Sequence, residues 1–305
     1  MLDERALSGT ESPTTNSAAL PKRVTTTGQT KTALQRIAEQ ADEHIDLGEA
    51  ALLFAALDSP TSDVSFYRDH LTAIADMVGD YATQKDFGDT PAPEQMADAL
   101  NESLVRHFHY AGDDETYDDL DNANLMRVID RRRGLPVALG ILYLTAARAQ
   151  GWAVAGLNFP GHFLIRIESR DGRRIIVDPF HEGRIMDAPA LRELLKIVAG
   201  SGVELEATHY RTVSNRDVLI RLQNNVKTRR LDKGLFKDAV DAVENMLLLA
   251  PESLSLWREA GVLHMRTGHL KRAIESFEKF VSFAQDGPDR TKIAKVIHEL
   301  RERIN

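Results

Sequence analysis

The segment from Val137 to Ala147 is apolar at almost every position, and that run constrains everything built around it. A helix that is hydrophobic on all sides has to be covered on all sides. Its ends are legible too. Gly134-Leu135-Pro136 precedes it, and proline suits the first helical position, where its missing N–H costs nothing. Gly151 comes after Gln150 and supplies the residue that commonly closes a helix in the left-handed conformation. The pattern predicts a central buried helix opening at Gly134-Leu135-Pro136.

The chain beyond Gly151 reads as strands. Trp152 to Phe159 is predicted as one strand, Pro160-Gly161 as a turn, His162 to Ser169 as a second strand and Arg173 to Asp178 as a third. The hairpin register can be derived. A two-residue Asp171-Gly172 loop would set Asp178 opposite Ile165, placing a charge on the apolar face that holds Phe163 and Ile167. A three-residue loop, Arg170-Asp171-Gly172 with glycine left-handed, pairs Ile165 with Val177, Ile167 with Ile175 and Glu168 with Arg174. It also pairs Leu164 with Asp178, making His162 and Asp178 diagonal neighbours on one face, with backbones about 7 to 8 Å apart. The hydrophobic pattern selects the register in which imidazole and carboxylate meet.

The flanks are helical. Residues 1–30, rich in Ser, Thr, Gly and Pro, read as a disordered tail. Residues 31–110 form a helical N-terminal subdomain, with apolar positions at helical spacing in Ala50, Leu53, Phe54 and Leu57, then Tyr67, Leu71, Ile74 and Val78. Asp58-Ser59-Pro60 breaks the two runs. Residues 111–212 hold the central helix and strands, and a further helix is expected at Pro189 to Val198. Residues 213–305 are helical and repetitive: a period of about 34 aligns Leu222 with Leu256, Ala239 with Ala273 and Val243 with Phe277. Two helix pairs are fewer than a repeat array needs to stand alone, so this segment is expected to dock on the core.

Composition narrows the function. The formal net charge of −8 argues against general affinity for nucleic acid and favours a protein or small-molecule partner. The chain has no cysteine, which excludes disulfides, thiolate catalysis and cysteine-ligated zinc and fits a reducing, cytoplasmic setting. No apolar signal core and no run long enough for a membrane span is found, so no membrane partner is expected. The acidic stretch from Asp113 to Asp121 lacks the central glycine and terminal glutamate of a calcium loop and reads as a solvated surface loop. Arg131-Arg132-Arg133 reads as helix-end charge with local ion pairs.

Three sets of residues carry a resemblance: Asn124-Leu125 with Arg132 through Leu139, Asn158-Phe159-Pro160-Gly161-His162-Phe163-Leu164, and Val177-Asp178-Pro179-Phe180. Leu222 to Lys227 then leads into helices in which Trp257, Gly261, Ala273 and Phe277 stand at tetratricopeptide signature spacing. Over about residues 45 to 305 the chain resembles a bacterial family of transglutaminase-like proteins with a C-terminal tetratricopeptide segment, the Sir-B-type invasion-regulator group. The resemblance implies an α+β fold: a helical N-terminal subdomain, a papain-like core with antiparallel strands, and a C-terminal TPR-like segment. It also implies that a cysteine would open the buried helix in an active enzyme, at Leu135 to Val137 and most nearly at Pro136. His162 and Asp178 match the histidine and aspartate of such a site.

The base and its orienter are therefore expected to be present and the nucleophile absent. His162 held by Asp178 is either a base or binding group of a pocket, or a pair that locks two strands. Tyr143 and Thr145 lie too deep in the helix to stand in for the missing thiol. A metal site is not expected. His162, Asp178, His181 and Glu182 could converge near the hairpin mouth, but His181-Glu182 lacks helical metal-ligand spacing and His181 reads as a loop residue. Trp257 and Phe277 are expected to pack within the repeats. The leading expectation is a non-catalytic regulatory or interaction protein with no cofactor, binding a protein or peptide through the TPR-like segment or the core cleft. The alternative is a hydrolase or acyltransferase that uses His162 and Asp178 with a non-cysteine nucleophile or a metal ion. The sequence leaves the oligomeric state open.

Overall fold

A computed structural model describes residues 26–304 of the chain. The tail reading for residues 1–30 falls mostly outside these residues. Its last positions lie in the first helix, α1 (Thr27–Ala38), where the Thr26 hydroxyl accepts from the Gln29 N–H and Gln29 Oε1 accepts from the Thr26 N–H. That reciprocal pair satisfies two of the donors a helix start leaves free.

The N-terminal helices continue with α2 (Leu47–Asp58), α3 (Val64–Gln84) and α4 (Pro93–Asn101), the last running into one wider turn at Glu102–His107. After β1 (Ala111–Gly112) and α5 (Leu125–Arg131), β2 (Arg133–Gly134) pairs in parallel with β1. The central helix α6 (Pro136–Ala149) comes next, with Pro136 at its first position and Gly151 left-handed at φ +72° just beyond its end. Leu139, Ile141, Leu142 and Leu144 are all fully enclosed, each contributing roughly 1.5–3 kcal/mol of burial.

Strands β3 (Ala153–Gly156), β4 (Ile165–Glu168), β5 (Arg174–Asp178) and β6 (Arg184–Ile185) form one antiparallel sheet in that order. Ile165 pairs with Val177, Ile167 with Ile175 and Glu168 with Arg174, the register the alternation predicts. Gly172 is left-handed at φ +84° in the three-residue loop. The strands are shorter than the sequence suggests, because the Leu157–Phe163 segment turns away from the ladder.

The sheet is covered on both faces. Phe163, Ile165, Ile167 and Val177 share the core cluster of α6, and the Phe163 ring fills the space where Gly140 and Gly156 lack a Cβ. Leu164 on the opposite face joins Leu157 and Phe159 beneath α7 (Ala188–Ala199), whose Leu191, Leu194 and Leu195 point inward.

Five helices complete the chain: α8 (Asn215–Asp232), α9 (Phe236–Leu249), α10 (Leu254–Arg266), α11 (Leu270–Phe283) and α12 (Pro288–Ile304). Val218, Leu219, Leu222 and Val226 of α8 belong to the same hydrophobic cluster as α1 to α6. The last helices are thus docked on the core through α8 and, by Ala242 and Leu249, through α9. Beyond it the cores become local, one between α9 and α10 and another between α11 and α12. No helix among the described residues is long and apolar enough to cross a membrane.

Candidate functional site

The site is built where the hairpin end meets the β5–β6 turn. Pro160-Gly161 turns the chain, with Gly161 left-handed at φ +65° and backed by Val198, where a side chain would collide. This delivers His162 to the end of β4. Asp178 ends β5, and the turn after it runs through two left-handed residues, Glu182 at φ +54° and Gly183 at φ +68°, which curl His181 back over the carboxylate.

His162 Nε2 lies 2.9 Å from Asp178 Oδ1, and His181 Nδ1 lies 2.7 Å from Oδ2. The Phe180 N–H also donates to Oδ1 at 3.0 Å. Asp178 is fully buried, His162 retains 6% of its surface, and the His181 side chain is about half exposed. Burial pushes the Asp178 carboxyl up, but hydrogen bonds and charge from His162 and then His181 outweigh it and hold it below the usual carboxylate range. An ionised carboxylate only accepts, so each facing ring nitrogen carries the proton. His162 Nδ1 is left as the nitrogen able to take one. His162 makes no hydrogen bond to a Ser, Thr or Tyr hydroxyl among the described residues.

Neighbouring side chains hold this arrangement. Arg221 of α8 donates through Nη2 to the His162 carbonyl at 2.6 Å and the Phe159 carbonyl at 3.3 Å, with its guanidinium over the Phe163 ring. Tyr143 Oη donates to Asn101 Oδ1 at 2.9 Å, and Asn101 Nδ2 donates to the Gly183 carbonyl at 3.1 Å. Burial, followed by the Asp178 charge, pushes the Tyr143 hydroxyl well above its ordinary range, so it stays a donor. Phe180 packs edge-on to His162 and Tyr117, and its carbonyl accepts from the Gly112 N–H at 3.1 Å.

A cleft of about 700 Å³ opens beside the turn, lined by Asp113, Glu115, Arg131, Arg133, His181 and Glu182 among others. One expectation needs correction here. Asp113 is not part of a solvated loop: it is buried, bonds the Thr116 N–H and hydroxyl, and pairs with Arg131 at 3.0 Å. His181 does lie in a turn, as expected, and one donor atom from each of His162, Asp178 and His181 lies within 4.8 Å of the others. Glu182 stays outside that cluster and lines the cleft. Arg131 does form the local ion pair expected of it, and Arg132 lies over the rings of Tyr110 and Phe108.

Residues 65–224, more than half of the chain, match the transglutaminase-like superfamily. The chain belongs to that superfamily. In this transglutaminase-like protein a tetratricopeptide repeat match over residues 227–298 succeeds the core. A UPF0162 protein of Xylella fastidiosa (strain Temecula1) is 28% identical over 247 residues, covering 79% of this chain and 84% of that protein. F-box only protein 21 of Mus musculus is 27% identical over 172 residues, covering 53% of this chain and 26% of that protein. A crystal structure of menin matches with a TM-score of 0.41 at 11% identity, covering 92% of this chain and 76% of the menin chain, too weak a likeness to bear on fold or function.

Signals in the sequence located His162 and Asp178 but missed Arg221, Asn101 and the position of His181. Arg221 adjoins the Leu222 to Lys227 motif, and that adjacency was the available clue. The repeat prediction divides. Phe277 packs in the repeat core against Gly261, whereas Trp257 is only partly covered and lines a second groove of about 580 Å³ between α9, α10 and α11.

Proposed function

We propose that the chain is a non-catalytic protein-interaction protein, in which a transglutaminase-like core is kept as a scaffold for a repeat segment that binds a protein or peptide. The observation that carries this reading is Pro136 at the first position of α6 in a chain without cysteine. A pyrrolidine ring cannot attack a carbonyl, and acyl transfer needs a nucleophile within hydrogen-bond reach of its base. The repeat groove, lined by Trp257, Ala260, His264, Arg272, Ser276 and Lys279 with Glu244 and Glu275, offers apolar surface together with both signs of charge.

In this reading residues 31–110 and 111–212 act together as scaffold, residues 213–305 do the binding, and the protein works in the cytoplasm. As part of this proposal, the motifs around His162 and Asp178 are read as resembling the Sir-B-type group within the superfamily. No role in invasion is inferred from that likeness. The test is photo-crosslinking from position 279, followed by binding of the purified captured protein to purified full-length variants. Trp257→Ala and Arg272→Glu are expected to weaken binding at least tenfold and His162→Ala to leave it unchanged. The reverse pattern would move the binding site to the core.

A second reading is favoured by one observation, the free Nδ1 of His162 in a ring oriented by Asp178. It is a hydrolase or acyltransferase that uses His162 as base with a non-cysteine nucleophile or a metal ion. Turnover lost in His162→Ala would establish it.

A further inference from the structure

We infer that His162, Asp178 and His181 bind one divalent transition-metal cation of the zinc class. This goes beyond the interaction reading and does not depend on it, since the repeat groove is a separate surface.

The donor set is the first argument. Two imidazoles and one carboxylate, with donor atoms within 4.8 Å of one another, suit zinc, cobalt(II) or nickel(II). Calcium and magnesium want many oxygens, and the cluster supplies one carboxylate. Three protein ligands would leave a fourth position for water.

Charge is the second argument, and the chain carries its own control. Asp113 and Asp178 are both buried carboxylates. Asp113 is neutralised by Arg131 at 3.0 Å. Asp178 has no lysine or arginine partner among the described residues, only the two imidazoles, one on each oxygen. Burying a carboxylate is strongly unfavourable unless charge and hydrogen bonds compensate for it. A cation among these three side chains would supply the charge that Arg131 gives Asp113.

Access and support complete the case. His181 opens onto the cleft of about 700 Å³, whose rim holds Asp114, Glu115 and Glu182 against Arg133, with Asp113 and Arg131 paired to each other. Such a rim favours entry of a cation. The Phe180 N–H on Asp178 Oδ1 and Arg221 on the His162 carbonyl fix the ligands from outside. Metal bonds of about 2.0–2.2 Å need the donors somewhat further apart than the 2.9 and 2.7 Å hydrogen bonds. The exposed turn carrying His181 can supply that opening.

Binding has a chemical consequence. The cation would take His162 Nε2, and the ring proton would move to Nδ1, the nitrogen that the second reading needs as base. A loaded site therefore has no general base at His162.

The test uses the untagged full-length chain, stripped with chelator and titrated with cobalt(II), then zinc. One cobalt per chain with visible ligand-field absorption, displaced by one zinc, is expected. His181→Ala should weaken binding at least tenfold, with far-UV circular dichroism of the metal-free variant showing that it remains folded. His298→Ala, an exposed histidine on α12, should bind as wild type. Absence of stoichiometric cobalt binding, or binding unchanged by His181→Ala, would overturn the proposal.

Discussion

Arg221 of α8 donates a 2.6 Å hydrogen bond to the backbone carbonyl of His162, 59 residues earlier in the chain. Helix α8 is therefore an integral part of the site's support. Burial pushes the Arg221 guanidinium down from its ordinary range, which lies so far above neutral that the group stays charged at neutral pH. The same side chain covers Phe163, which wedges the hairpin against α6.

Arg221→Met is expected to destabilise the protein by about 1.5–3 kcal/mol, since the carbonyls of Phe159 and His162 lose a charged donor. Urea unfolding measures this. Native-state hydrogen exchange should show the loss of protection concentrated at the hairpin entrance.

Tyr143→Phe should cost about 1–3 kcal/mol by leaving the half-buried Asn101 Oδ1 without its donor. The turn at Gly183 should loosen with it, because Asn101 also holds the Gly183 carbonyl. Amide chemical shifts for residues 181–184 check this. A spectrophotometric titration of the wild type should show Tyr143 un-ionised where exposed tyrosines already titrate.

Stability should fall as pH drops from about 6.5 to about 4, with His70 as one cause. Burial, then the Arg132 charge, pushes the His70 pKa down from 6.5 to about 4. Arg132 can only donate, so His70 Nε2 is an acceptor and the folded ring is neutral. Below pH 6.5 the unfolded chain takes up a proton that the folded chain refuses until about pH 4, so the contribution is intact above that window and lost across it. His70→Gln should flatten the dependence of the unfolding midpoint in this range.

Gly261→Ala should destabilise the repeat segment by about 1–3 kcal/mol. A Cβ there would lie 2.4 Å from the Phe277 ring, itself buried between α11 and α12. Gly268→Ala meets open space but a left-handed backbone at φ +79°, so its smaller cost is conformational. Thermal unfolding of the two variants separates the effects.

The hairpin was legible in the sequence because an error of one residue would have exposed Ile165 and Ile167 and buried charge in their place. Helix α6 was legible because its pattern allowed only burial. His181 was hidden, since its position depends on two successive left-handed residues that no apolar periodicity reports. Asp113 was misread for a related reason: its partner Arg131 is 18 residues away, and the acidic neighbours around it do lie at the surface. Arg221 belongs to the same class of long-range contact, which the composition of a helix does not announce.

The central claim is that the fold of acyl transfer is kept here without the reaction. The most direct measurement is amide and ester hydrolysis, together with glutamine–amine crosslinking, by the full-length wild type and His162→Ala, each with and without added zinc. The account predicts no product from the wild type above the His162→Ala background in any condition. Turnover by the wild type that disappears in His162→Ala would contradict it.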